Sequence, residues 1–123
     1  MTIRGIRGAI TVTADEPEQV LSATQELLTS ILDANPALQT EDIASALFTV
    51  TEDIVSAYPA LAARQIGWDL VPMVCAREIP VPGSLPLCIR VIIHWNTELE
   101  QSDIQHVYLR DAVKLRPDLV ARA

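Results

Sequence analysis

One stripe of apolar residues at helical spacing runs through an otherwise strand-like chain, and that imbalance limits what the chain can build. Val20, Leu21, Thr24, Leu27, Leu28, Ile31 and Leu32 recur on one face of a 3.6-residue repeat. Asp15 or Glu16 before Pro17 marks the start of this helix, Glu18 suits its first turn, and Asn35-Pro36 ends it. The β-branched segments at 3–13, 44–51, 71–78 and 87–95 read as strands, with a last one at 105–110. Tyr58-Pro59 opens a short Ala-rich helix over 60–65 that Gly67 closes. Residues 79–86 hold Pro80, Pro82, Gly83 and Pro86 and form a loop. The expectation is a single α+β (α/β-like) domain over residues 1–123: a mixed β-sheet packed on one or both faces with one long helix and one or two short ones. Residues 111–123 are expected to be a mobile tail. One long helix covers only one face of such a sheet, so the other face predicts oligomerisation.

Composition narrows the partners. Half of the 123 residues are hydrophobic but only 4% are aromatic, so aliphatic side chains must fill the core. Nine basic against sixteen acidic residues leave a net charge of −7. That balance argues against nucleic acid and against an anionic membrane surface as partners. The N-terminus shows no signal-peptide pattern and no run reaches the length of a membrane span, so a cytoplasmic location is expected. Cys75 and Cys88 form no CxxC, and His94 and His106 lack a second ligand at a diagnostic spacing, so no metal is expected. Eight of the nine bases are Arg, the residue suited to bidentate recognition of a carboxylate or a phosphate.

The segment 87–95 says where such an anion would bind. Alternation places Leu87, Ile89, Val91, Ile93 and Trp95 on one face and Cys88, Arg90, Ile92 and His94 on the other. Arg90 therefore sits mid-strand among apolar neighbours, where a charge is costly unless it is paired or used. It is either neutralised by a carboxylate, turned to solvent, or an anion-binding group in a partly desolvated cleft. Arg7 repeats the theme between Gly5 and Gly8, glycines that allow a bulge or a close approach. Glu78 is a solvated carboxylate or the partner of Arg90. Cys75 lies three residues before Glu78, so a regular strand sends the two to opposite faces. No Ser/His/Asp set, P-loop or dinucleotide fingerprint is present. Taken alone, the residues describe a small-anion site with clustered arginines and leave its chemistry open.

Several segments together carry a resemblance: Ile3-Arg4-Gly5-Ile6-Arg7-Gly8-Ala9, Val71-Pro72 ahead of Cys75, Glu78, Cys88-Ile89-Arg90-Val91, His106-Val107-Tyr108-Leu109 and Leu115-Arg116-Pro117-Asp118-Leu119. In order and approximate spacing they resemble the monofunctional chorismate mutases of the AroH class, over almost the whole chain. The resemblance implies a homotrimer of pseudo α/β-barrel character with active sites between neighbouring subunits. It implies the Claisen rearrangement of chorismate to prephenate, on the route to Phe and Tyr, without cofactor. By matching position, Arg7 grips a substrate carboxylate, and Arg90 reaches a carboxylate and the ether oxygen whose bond breaks. Cys75 and Glu78 match residues that contact the substrate hydroxyl, and Tyr108 one that contacts the side-chain carboxylate. Tyr58, Ala60, Arg64, Met73 and Val74 match further pocket residues. Leu115 and Arg116 fall in a tail resembling the family's mobile cover. Leu61 stands where Bacillus-type members have Lys, and one residue is missing between Arg64 and Gly67 relative to them. The competing readings are a trimeric enamine/imine deaminase of the reactive-intermediate type and a non-catalytic trimer that binds a small dicarboxylate. With no length for a separate regulatory domain, little feedback inhibition is expected.

Overall fold

The computed structural model describes residues 2–115. Among them the chain runs β1 (Ile3–Thr11), α1 (Pro17–Ala34), β2 (Ile43–Val50), α2 (Pro59–Gln65), β3 (Met73–Arg77), β4 (Cys88–Asn96) and β5 (Val107–Tyr108), with 3-10 turns at Thr40–Asp42, Gln101–Asp103 and Arg110–Lys114. The five strands form one mixed sheet in the order β3-β2-β4-β1-β5. β4 pairs antiparallel with β1 and β2, while β5 runs parallel to β1 and β3 parallel to β2. This is the α+β architecture expected from the pattern of elements.

α1 forms where the apolar stripe predicts it. Pro17 takes the first helical position and Glu18 the first turn, while Val20, Ala23, Thr24, Leu27, Leu28 and Ile31 are buried. They pack on Ile6, Ile10, Phe48, Ile89, Val91, Ile93 and Trp95 in one core. Burying a Leu, Ile or Val side chain stabilises by roughly 1.5–3 kcal/mol, so this seam is the main source of stability. α2 joins the same side of the sheet through buried Ala60 and Ala63. It ends in a Schellman motif, with Gly67 at φ +97° and its N–H on Arg64 O, and Trp68 N–H on Ala63 O.

The approach of α1 to β1 depends on Gly8. A Cβ built there would lie 2.8 Å from Ile31 Cδ1, 3.3 Å from Leu27 Cδ1 and 3.3 Å from the Val107 carbonyl oxygen. β1 pairs with β4 in unbroken register from Ile3 to Thr11, so glycine serves close approach here and not a bulge. Gly8→Ala is expected to lower stability by about 1–2 kcal/mol through overpacking, visible as a lower thermal midpoint with unchanged far-UV circular dichroism.

Several boundaries differ from the sequence reading, including β3, which spans Met73–Arg77 and not 71–78, and four differences have a local reason. β1 stops at Thr11 because the Thr13 and Ala14 amides turn to the Gln19 side chain. β4 begins at Cys88 because Leu87 adopts φ +50°, its N–H held by the Asp53 carboxylate at 3.0 and 3.2 Å. β5 is two residues long: the Asn35 amide fixes the Gln105 backbone on one side, and Arg110 turns away at φ +56° on the other. Residues 110–114, expected in part to be a mobile tail, form a 3-10 helix whose Ala112 is buried against Ala9, Cys88 and Tyr108. Arg116 and the remainder of that tail lie outside the described residues.

Both helices occupy one side of the sheet. The opposite face carries Gly5, Arg7, Ala9, Ser45, Leu47, Thr49, Val74, Ala76, Arg90, Ile92 and His94 by strand alternation and register. Among the described residues, the Arg110–Lys114 turn packs on its Ala9–Cys88 corner. Val74 is 64% exposed on this face. No helix among the described residues is long and apolar enough to cross a membrane.

Candidate active site

The face opposite α1 and α2 gathers the charged residues singled out from the sequence. Arg90 is paired across the sheet with Thr49 on β2 and Ala9 on β1, and Arg7 with Ile92. Alternation continues through β3 without a bulge: Cys75 lies opposite buried Phe48, Ala76 opposite Thr49, and Arg77 opposite Val50. The Glu78 amide then donates to Val50 O at 2.9 Å, which brings the Glu78 side chain to the same face as Arg90. A cleft of about 140 Å³ results, lined by Arg7, Gly8, Ala9, Leu47, Thr49, Glu78, Arg90, Val91, Ile92, Tyr108 and Leu115. Four strands and two loops contribute to it.

Arg90 is held there as a half-buried cation. Its Nε lies 3.7 Å from Glu78 Oε2, with the two side chains 28% and 26% exposed. That separation is ion-pair range but beyond a hydrogen bond. The Arg90 Nε atom is buried and has no hydrogen-bond partner among the described residues. Glu78 Oε2 accepts its hydrogen bond from the Thr49 hydroxyl instead. An unsatisfied buried N–H costs free energy in a resting protein. Arg90 is also one of the residues that line the cleft.

The neighbours of Arg90 have structural explanations. The Arg7 N–H donates to His106 Nδ1 at 2.9 Å, which fixes β1 beside the loop leading into β5. Tyr108 packs with Ala9, Cys88 and Ala112, and Leu115 lies against that cluster. Cys88 is fully buried, and desolvation pushes its thiol pKa up, with Arg90 only partly opposing this. A buried thiol with a raised pKa is a poor nucleophile and serves as packing. Among the described residues no group of His, Cys, Asp or Glu could hold a metal ion.

The other residues expected at the site lie elsewhere. Tyr58, Ala60 and Arg64 sit at the start and along the length of α2, and Met73, Val74 and Cys75 on β3 at the sheet edge. None of the six lines the Arg90 cleft. Met73 and Cys75 pack on the helix-side core, whereas Tyr58 is 72% exposed. Tyr58 and Cys75 instead line a separate, mostly apolar hollow of about 430 Å³ with Val55, Pro59 and Arg77. The loop entering α2 is fastened by Asp15, whose carboxylate accepts the Val55 and Ser56 amides at 3.0 and 3.2 Å. The Ser56 hydroxyl and these amides hold the Asp15 pKa below its usual value. Sequence pattern had offered Asp15 only as a helix start, and had not marked Thr49 at all. A lone Thr in a strand carries no signal until its cross-strand neighbour is known.

Comparison with known proteins decides the family. Residues 3–119 match the family described as chorismate mutase type I. This chain belongs to the type I chorismate mutases. It is 59% identical over 117 residues to chorismate mutase AroH of Thermus thermophilus, covering 95% of this chain and 96% of that protein. It is 44% identical over 120 residues to chorismate mutase AroH of Bacillus subtilis (strain 168), covering 97% and 94%. Its fold is similar to the solved chorismate mutase from Clostridium thermocellum, with a TM-score of 0.85 and 46% sequence identity over 88% of this chain and 96% of that one. Chorismate mutases catalyse an intramolecular rearrangement that calls for neither a nucleophile nor an acid–base pair.

Proposed function

We propose that Arg7, Glu78, Arg90 and Tyr108 form one wall of the site in which this chorismate mutase, an isomerase of aromatic amino-acid biosynthesis, rearranges chorismate to prephenate. The rearrangement breaks a C–O bond and makes a C–C bond within one molecule, with no proton transfer. The protein's task is to hold a flexible dianion in the compact conformer that brings the two carbons together. It must also stabilise negative charge growing on the ether oxygen. Arg7 suits a carboxylate, Glu78 the ring hydroxyl and Arg90 the ether oxygen. One fixed donor at such an oxygen contributes about 3 kcal/mol or more. The observation that carries this assignment is the buried Arg90 Nε–H with no hydrogen-bond partner among the described residues.

Tyr58, Ala60, Arg64, Met73, Val74 and Cys75 supply the second wall from a neighbouring subunit of a pseudo-barrel homotrimer. Two features support this. The Arg90 cleft holds about 140 Å³, whereas sites for organic ligands usually offer some 300–1,000 Å³. The sheet face opposite α1 and α2 also exposes Val74 beside half-buried Leu47 and Ile92, an apolar surface suited to another copy. Cys75 and Glu78 then meet the same substrate from two chains although they face opposite sides of one sheet. Leu61 leaves the mouth without the cation that Bacillus-type members carry. A cytoplasmic location fits the reading.

The test follows chorismate loss at its ultraviolet absorbance and identifies prephenate as product, on protein eluting at the trimer's mass. Saturable chorismate binding without turnover would leave only a dicarboxylate sensor, and a well-behaved monomer would remove the shared site. Family membership already sets aside the deaminase reading.

A further inference from the structure

Resting on the assignment of Arg90 to the ether oxygen, we infer that Thr49 is a positioning residue that keeps Glu78 from closing on Arg90. Thr49 lies directly across from Arg90 in the β2–β4 pairing. Its hydroxyl donates to Glu78 Oε2, the same oxygen that lies 3.7 Å from Arg90 Nε. A carboxylate beside a guanidinium ordinarily closes to about 2.7–2.9 Å and takes up the N–H. Here the carboxylate is held on two sides: the Glu78 backbone N–H is bound to Val50 O, and its side chain to the residue before Val50. The β-branched Thr49 has few χ1 choices, so its hydroxyl is an inflexible anchor. The cation keeps its counter-charge, while its Nε–H is left without a hydrogen-bond partner among the described residues.

Thr49→Val keeps the shape and removes the donor, while Thr49→Ser keeps the donor. In Thr49→Val the carboxylate is free to close on Arg90. The Arg90 Nε–H resonance then moves downfield in ¹H–¹⁵N spectra of the free enzyme. kcat falls by about tenfold, as for the loss of one hydrogen bond to a charged group, with KM changing less. Thr49→Ser restores both readouts towards wild type. An unmoved Nε–H resonance, an unchanged kcat, or a Thr49→Ser variant as impaired as Thr49→Val would each overturn the inference. Thr49→Ala provides the same two readouts should the valine variant fold poorly. Arg90→Ala measured alongside separates the levels. If that variant keeps full activity, the placement of Arg90 is wrong; if it is inactive while Thr49→Val is normal, only the role of Thr49 is wrong.

Discussion

Arg90→Ala is expected to lower kcat/KM by about a thousandfold or more, since it removes the donor to the oxygen on which charge develops. The fold should tolerate the change. Arg90 is partly exposed, its only ion-pair contact among the described residues is at 3.7 Å, and Glu78 retains the Thr49 hydroxyl and some solvent. No uncompensated buried charge is created, so a thermal midpoint close to that of the parent is expected. Arg90→Lys should also be strongly impaired, because an ammonium supplies charge without the planar fork that reaches a carboxylate and the ether oxygen together. A purely structural Arg90 predicts the reverse, with stability falling and turnover surviving. Steady-state kinetics and thermal unfolding on the same samples distinguish the two, and turnover of Arg90→Ala within tenfold of the parent would refute the assignment.

The second large effect is a recovery. Arg90→Ala damages one wall of the proposed site and Arg64→Glu, a charge reversal at the end of α2, damages the other. Each variant alone should be nearly inactive towards a dianion. Denatured together in equal amounts and refolded, they form mixed trimers joined by head-to-tail interfaces. A site is intact when its Arg90 wall comes from an Arg64→Glu subunit and its α2 wall from an Arg90→Ala subunit. Random assembly therefore returns about one-quarter of parental activity, the product of two even chances around a closed ring. Each variant refolded alone is the control. If the mixture stays as inactive as its components, both walls belong to one chain and the shared site is wrong.

Much of the local structure was legible in the sequence because its signals are local. The 3.6-residue stripe set the bounds of α1 to within a residue or two, and Gly67 announced the end of α2. Strict alternation put Ile89, Val91, Ile93 and Trp95 on one face, which the structure buries, and Arg90 on the other. The same rule separated Cys75 from Glu78. The resemblance to a known family then named the chemistry, which composition and spacing had left at a small anion. Where local pattern misled, a distant partner had intervened. Leu87 leaves the strand because Asp53, far back in the chain, holds its amide. β5 is short because Asn35 and Arg110 bracket it.

What the sequence determined by itself was which side chains share a face of each element, since that depends only on backbone period. It also determined that the helices could cover only one side of the sheet. The tertiary structure decided which faces meet. The order β3-β2-β4-β1-β5 sets Thr49 across from Arg90, brings Glu78 to the same cation, and leaves Cys75 on the edge strand. No periodicity encodes those neighbours, because strand pairing joins residues tens of positions apart.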